Sequence, residues 1–352
     1  MKKSNQLGLY YFFIHFLLEV TCFYVLTSYI KSPLIWGVSL LYDFVAFVPQ
    51  GIVGFLRDKG IRIDWALLGT GITTVSLILL SVNLNAFLVI AVLSIGNCMV
   101  HIQGAEATLR SSPGKITPAA VFVSGGAFGL VTGKMLSLHG VSVWWIIALN
   151  VLAFGLILLT KRIKTGDGEE NLSQYDFANK KINGVAVILL ATFVVAVRAY
   201  MGYGIPTSWN KTELQTIILY SCMGLGKALG GILTDKIGIR LTAIISTVGA
   251  LPFMIFGAEV MELSLIGVTL FSMTMAVSLA VILSRLQAYP GVAFGFTTIG
   301  LFLGTLLFFF FRIQSVLTNS IVISILTVPC VVILWIICGK KNDKTPLQNP
   351  ID

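Results

Sequence analysis

The chain has 352 residues, 56% of them hydrophobic and only 11% charged, with a net charge of +9. No soluble core of this length accommodates that share of apolar side chains, so a soluble globular protein is excluded and a polytopic membrane protein is implied. In such a chain a basic excess bears on orientation across the bilayer rather than on nucleic acid, and no nucleic-acid partner is expected.

The first element follows Lys2 and Lys3 as an apolar run from Leu7 to Ile30. It is too long for a signal peptide and has no small-residue cleavage site, so it reads as an uncleaved first span. A span needs about 20 mostly apolar residues to cross about 30 Å of hydrocarbon. On that ruler the runs at 33–56, 64–82, 86–104, 117–138 and 140–160 complete a first set of six. The polar stretch 161–181, KRIKTGDGEENLSQYDFANKK, has no apolar periodicity and reads as a cytoplasmic linker. Six more spans follow at 182–204, 212–234, 239–258, 262–284, 292–312 and 319–338. The expected organisation is an all-α membrane protein: an N-terminal six-helix bundle at 1–160, the linker at 161–181, a C-terminal six-helix bundle at 182–338 and a cytoplasmic tail at 339–352.

Charge sets the orientation. With the amino terminus inside, only Lys31, Lys211 and Arg312 of the 24 Lys and Arg fall on the outer side, and Lys134, Arg198 and Lys227 lie within spans. All the others are cytoplasmic, which places both termini inside. The five cysteines (Cys22, Cys98, Cys222, Cys330, Cys338) are scattered through apolar segments without a CxxC pair, so they predict neither a disulfide framework nor a zinc site.

The same polar knot closes the second span of each half. GIVGFLRDKGIR at 51–62 and GGILTDKIGIR at 230–240 align with Asp58 on Asp235, Gly54 on Gly231 and Lys59 on Lys236. After one inserted residue, Ile237, the triplet Gly60-Ile61-Arg62 meets Gly238-Ile239-Arg240. Duplicated halves are the usual construction of secondary transporters, with a site near the midplane where they meet. The pattern G-x-L-x-D-[RK]-x-G-x-[RK] resembles the signature loop of the major facilitator superfamily. The second copy matches it fully, and the first is one residue short before Gly60. The resemblance implies the major facilitator fold of two pseudo-symmetric six-helix bundles, and a cytoplasmic gate at Gly54, Asp58, Lys59, Arg62, Gly231, Asp235, Lys236, Gly238 and Arg240.

Small residues recur in the fifth span at Gly125, Gly129 and Gly133, and in the eleventh at Gly291, Gly295, Gly300 and Gly304. Close helix approach at that spacing predicts packing surfaces, read here as sliding ones. The segment SGGAFGLVTG also resembles the fifth-helix motif of facilitator antiporters, although it lacks that motif's proline. GNCMVHIQG, GAFGLVTGK, VVAVRAYMG and GKALGGILTDKIG are similar to the fosmidomycin-resistance branch of bacterial efflux facilitators, with Gln103 where that pattern has glycine. That likeness implies export of a small compound.

Ionisable groups inside spans are functional candidates, since each costs about 2.5–3.5 kcal/mol at a helix centre on insertion scales. Glu19 and Asp43 fall near the midplane, and His15 lies four residues before Glu19 on the same helical face, so Glu19, His15 and Asp43 are the expected proton-coupling set. Arg198, with forked donors, is the expected contact for an anionic group, joined by Lys227, Lys134, His101 and Asn97 as solute-binding candidates. Lys227 and Lys134 have a second reading as side chains that snorkel to the membrane surface.

No phosphate loop, acyltransferase histidine motif, HExxH or Ser-His pairing is present, so no enzyme is expected, and no cofactor or metal is implied. The sequence thus reads as a monomeric, proton-coupled secondary transporter of a small organic solute in a bacterial cytoplasmic membrane. Efflux by antiport is favoured, with an uptake symporter and a transport-inactive sensor of the same fold as alternatives.

Overall fold

Each apolar run becomes helix, because only a helix satisfies its own backbone polar groups in lipid. The computed structural model describes residues 3–61, 63–163 and 175–339. Arg62, residues 164–174 of the linker and residues 340–352 of the tail lie outside them.

In the first half the helices are α1 (Lys3–Ser28), α2 (Ile35–Phe47), α3 (Gln50–Asp58), α4 (Trp65–Ser81), α5 (Ala86–Arg110), α6 (Thr117–Leu138) and α7 (Val143–Thr160). The second half has α8 (Gly184–Gly204), α9 (Glu213–Ile237), α10 (Ile239–Ile244), α11 (Ala250–Phe256), α12 (Met261–Ser272), α13 (Thr274–Leu283), α14 (Pro290–Phe310) and α15 (Val316–Ile337). Three spans are interrupted. The second breaks at Val48 and Pro49 between α2 and α3, and the tenth at Met273 between α12 and α13. The ninth carries a π-helical turn at Ile245–Gly249 between α10 and α11, ending three residues before Pro252, which has no N–H to continue an ordinary helix. Counting each interrupted pair as one, eleven segments among the described residues are long and apolar enough to cross a membrane. The shorter α4, with 17 residues, is the twelfth apolar span. Large apolar side chains such as Trp144, Trp145, Phe310, Leu317 and Ile325 point outward, a surface that only lipid suits.

Packing repeats between the halves. Helix α1 runs along α6 and α8 along α14, pairs that join the first span to the fifth and the seventh to the eleventh. Across the halves, α6 meets α9 and α3 meets α14, so exchanging the halves turns one contact into the other. The result is two six-helix bundles related by a pseudo-twofold axis.

The glycine ladder of the fifth span does not lie at this junction. Gly125, Gly129 and Gly133 press against the backbone of Phe12, Phe16 and Val20, which seals α6 to α1 inside the first half. Gly300 and Gly304 do the same against α8 at Thr192 and Ala196. Only Gly291 and Gly295 cross, meeting Gly54 and Gly51 of α3. The small residues chiefly allow fixed close packing, since lipid gives helices no hydrophobic reason to associate.

Candidate functional site

Three polar side chains from α1 and α5 converge in the first half. Glu19 and His15 share a face of α1 by their four-residue spacing, and His101 of α5 approaches from across. All three are buried. Glu19 Oε1 accepts a hydrogen bond at 2.9 Å from the Asn97 side-chain amide, and lies 3.7 Å from His15 Nε2 and 3.6 Å from His101 Nε2. The imidazoles meet edge to face with centroids 4.4 Å apart. Asn97 is fully buried and also donates towards the Tyr42 hydroxyl at 3.0 Å and Cys22 Sγ at 3.3 Å. The expected grouping of Glu19 with His15 is thus joined by His101 and Asn97. Tyr42 and Cys22 complete the cluster; Cys22, three residues after Glu19, shares its face of α1, whereas nothing in the sequence points to Tyr42.

Asp43 sits beside Tyr42 on α2, half-buried and within electrostatic range of Glu19. From the second half, Lys227 of α9 is half-buried and within range of Glu19 and His101. Tyr203 of α8 is exposed yet within range of Asp43. Asp43 belongs to the first half, and Lys227 and Tyr203 to the second. Lys134 is half-buried towards the C-terminal end of α6.

Arg198 lies apart from this group, buried within the second half. One guanidinium nitrogen, Nη2, donates to the carbonyls of Ser246 and Phe271, each at 2.8 Å, and to the Thr274 hydroxyl at 2.9 Å. Its Cζ stacks 3.3 Å from the centre of the Phe271 ring. Ser246 belongs to the π turn of the ninth span and Phe271 lies two residues before the break in the tenth at Met273, so the arginine serves carbonyls at two helix irregularities. The first half carries its buried polar centre on its first and fourth spans, and the second half on the corresponding seventh and tenth. One centre is acidic and the other basic.

The polar knots join the halves at one end of the bundles by crossing between them. Asp58, with its side chain fully buried, accepts from the N–H groups of Gly291 at 3.2 Å and Val292 at 3.0 Å, in the first turn of α14. Asp235 accepts from the N–H groups of Ile116 and Thr117, both at 3.0 Å, and from the Thr117 hydroxyl at 2.5 Å, at the start of α6. A carboxylate at a helix amino terminus meets unpaired N–H donors and the positive end of the helix dipole. Gly54 lies against Gly291, and Gly231 against Ala120 and Thr117, with no room for a side chain. Gly60 and Gly238 both turn through positive φ, +88° and +97°, so each loop needs glycine at the same place despite the extra Ile237. Lys59 lies 5.6 Å from the ring centres of Phe55 and, in the other half, Tyr289. Arg240 donates to the Cys338 carbonyl at 3.0 Å and lies over Trp335, while Lys236 closes α9.

Behind Asp58 stands a network that the sequence did not single out. Arg110 bridges Asp58 at 3.1 Å and Glu106 at 2.7 Å, and Arg57 pairs with Glu106 and donates to Gln103 at 3.2 Å. The Gln103 carbonyl also accepts from the Ala66 N–H at 2.9 Å, a contact that glycine at this place could not make. In the second half Arg285, just past α13 as Arg110 ends α5, instead holds the carbonyls of Asn179 and Ile182. The end of the linker is therefore packed. Tyr175, also buried, donates to the Leu109 carbonyl of the first half at 2.6 Å, while Gln287 of the second half donates to the Tyr175 carbonyl at 2.9 Å.

No protein-family model matches the sequence, and no curated protein matches it. Solved structures do match. A variant of FucP, the E. coli fucose:proton symporter, superposes with a TM-score of 0.65 at 14% identity, over 94% of this chain and 97% of that one. A double-tryptophan mutant of XylE superposes with a TM-score of 0.67 at 15% identity, over 94% of this chain and 95% of that one. The chain has the major facilitator fold. In this fold the duplicated knots of the sequence occupy equivalent places, and each clasps the helix that opens the opposite half's crossing contact. The eleven segments among the described residues that are long and apolar enough to cross a membrane support an integral membrane protein.

Proposed function

We propose that the protein is a secondary active transporter that moves a small organic solute by alternating access, coupled to protons at Glu19 with His15 and Asp43 beside it. The observation that carries this reading is the pair of crossed clasps, Asp58 on α14 and Asp235 on α6. Each joins the two halves by hydrogen bonds at their cytoplasmic ends, contacts that break when the halves rock apart. Glu19 supports the coupling role. It is a buried carboxylate with two imidazoles within 4 Å, on the half that faces Lys227.

Lys227, at the junction and half-buried, is the better placed cation to meet an anionic group of the solute, with His101 and Asn97 shaping the opposite wall. Arg198 acts in this reading by fixing the interrupted ninth and tenth spans that flank the solute path. Lys134 lies outward of them and snorkels. No chemistry on the solute is assigned. Uptake by symport gains support from the name of FucP as a fucose:proton symporter. Export by antiport rests only on the sequence likeness to the efflux branch.

The test begins with a thermal-stabilisation screen of the purified protein at two pH values, using anionic, cationic and neutral compounds, L-fucose among them. Flux of each stabilising compound is then measured in proteoliposomes. Glu19→Gln should abolish flux driven by a pH gradient while sparing counterflow. Full pH-driven flux in that variant removes Glu19 from the coupling role.

A further inference from the structure

Three atoms of metal-ligating type, from His15, Glu19 and His101, come together in the first half. His15 Nδ1 lies 2.9 Å from the Phe122 carbonyl and His101 Nδ1 lies 3.1 Å from the Asn97 carbonyl. A carbonyl only accepts, so each Nδ1 carries its hydrogen, and in a neutral ring each Nε2 then presents a bare lone pair. Both Nε2 atoms point at the same oxygen of Glu19, from 3.7 and 3.6 Å. These separations are too long for hydrogen bonds. They are near the edge of about 3.3 Å expected between ligands held about 2.0–2.1 Å from a tetrahedral ion. All three atoms lie within 4.8 Å of one another. His15 Nε2 is buried with no hydrogen-bond partner, so one of the three donors points into the site unpaired.

We propose that His15, Glu19 and His101 form a binding site for a divalent late transition-metal ion of the zinc class, which would be bound reversibly from the solute path. Two imidazoles with one carboxylate suit zinc, cobalt or nickel, whereas magnesium and calcium require a shell of oxygen ligands. Tying each Nδ1–H to a backbone carbonyl is the arrangement that fixes the tautomer and aim of metal-binding histidines. The surroundings hold the ligands in place. A side chain at Gly126 would come within 2.6 Å of the His15 ring, and one at Gly129 within 2.8 Å of Glu19 Cβ. Three protein ligands leave a fourth position for water or solute, the pattern of an open site rather than a structural one.

The inference goes beyond the transporter reading and stands independently of it, because metal binding is measured without transport. Full-length protein in detergent, stripped with chelator, is titrated with Zn2+ by calorimetry and with Co2+ by visible absorption. The expected result is one equivalent of Zn2+, a Co2+ spectrum with the intense bands of tetrahedral coordination, and no response to Mg2+. H15Q and H101Q should each weaken Zn2+ by about 100-fold or more. H139Q controls for the exposed His139–Glu213 pair, 2.9 Å apart at the outer surface, and should leave Zn2+ binding unchanged. Absence of Zn2+ binding, its retention in both H15Q and H101Q, or its loss in H139Q overturns the proposal. If H101Q and H15Q fail to elute as monodisperse protein, the wild-type Co2+ spectrum decides: tetrahedral bands support the site, and their absence overturns it. Transport without Zn2+ binding would defeat this inference alone, and Zn2+ binding without solute flux would defeat only the transporter reading.

Discussion

Asp58 accepts a hydrogen bond at 3.0 Å from the backbone N–H of Val292, 234 residues further along the chain and in the opposite half. Asp235 makes the matching contact in the other direction, to Ile116 and Thr117. Each half thus supplies both a carboxylate and a helix amino terminus, and the halves are joined at this end by two equivalent contacts.

Removing the charge from either clasp should favour the form open to the cytoplasm. A hydrogen bond to a charged group contributes about 1.5–3 kcal/mol, so Asp235→Asn is expected to shift the balance of closed and open forms by about ten- to a hundredfold. Electron-spin distance measurements between labels on the cytoplasmic loops of the two halves should lengthen. Unchanged distances would mean that the clasp does not hold the mouth shut.

The glycine contact at the same junction predicts a coupled effect. A side chain at Gly291 would lie 2.8 Å from Gly54 Cα and 3.1 Å from an Asp58 oxygen. Gly291→Ala should therefore open the mouth by overpacking, at a cost of about 1–3 kcal/mol. Combined with Asp58→Asn it should add little, because both changes break one contact. Full additivity in the same distance measurement would show two separate contacts.

Arg198 serves as the test of a positioning role. Arg198→Lys loses the stacking on Phe271 and should cost about 1–2 kcal/mol, read as a fall of a few degrees in melting temperature. Affinity for the compound returned by the stabilisation screen should change little. A large loss of affinity at constant melting temperature would instead put the arginine in contact with solute.

One ion pair, between Asp64 at the N-cap just before α4 and Lys161 just after α7, sets an acid-side dependence. Partial burial of Asp64 pushes its carboxyl up, but hydrogen bonds from Lys161 at 2.7 Å, the Leu67 N–H and Gln103 outweigh this and bring it below its ordinary value. A lowered carboxyl contributes stability above its unfolded value, near 3.9, and loses that contribution as pH falls through the folded value. Asp64→Asn should therefore lower the melting temperature at neutral pH and flatten its decline below about pH 4. An unchanged acid slope would remove Asp64 from the account.

Much of this protein was legible in one dimension. Twelve spans follow from runs of about 20 apolar residues, because the bilayer imposes a length on every crossing helix. The duplicated knots and the glycines at 60 and 238 are local demands of the chain, as is the shared face of His15 and Glu19, so spacing alone reveals them. What spacing cannot reveal is how each helix is rotated against its neighbours. That rotation brings His101 and Asn97 to Glu19, turns Gly125, Gly129 and Gly133 to α1 rather than to the other half, and directs Arg198 onto Ser246 and Phe271. In lipid, where every face of a helix is apolar enough to be exposed, the pattern of hydrophobicity does not choose the buried face. Packing and buried hydrogen bonds between distant segments choose it, and they exist only once the chain has folded.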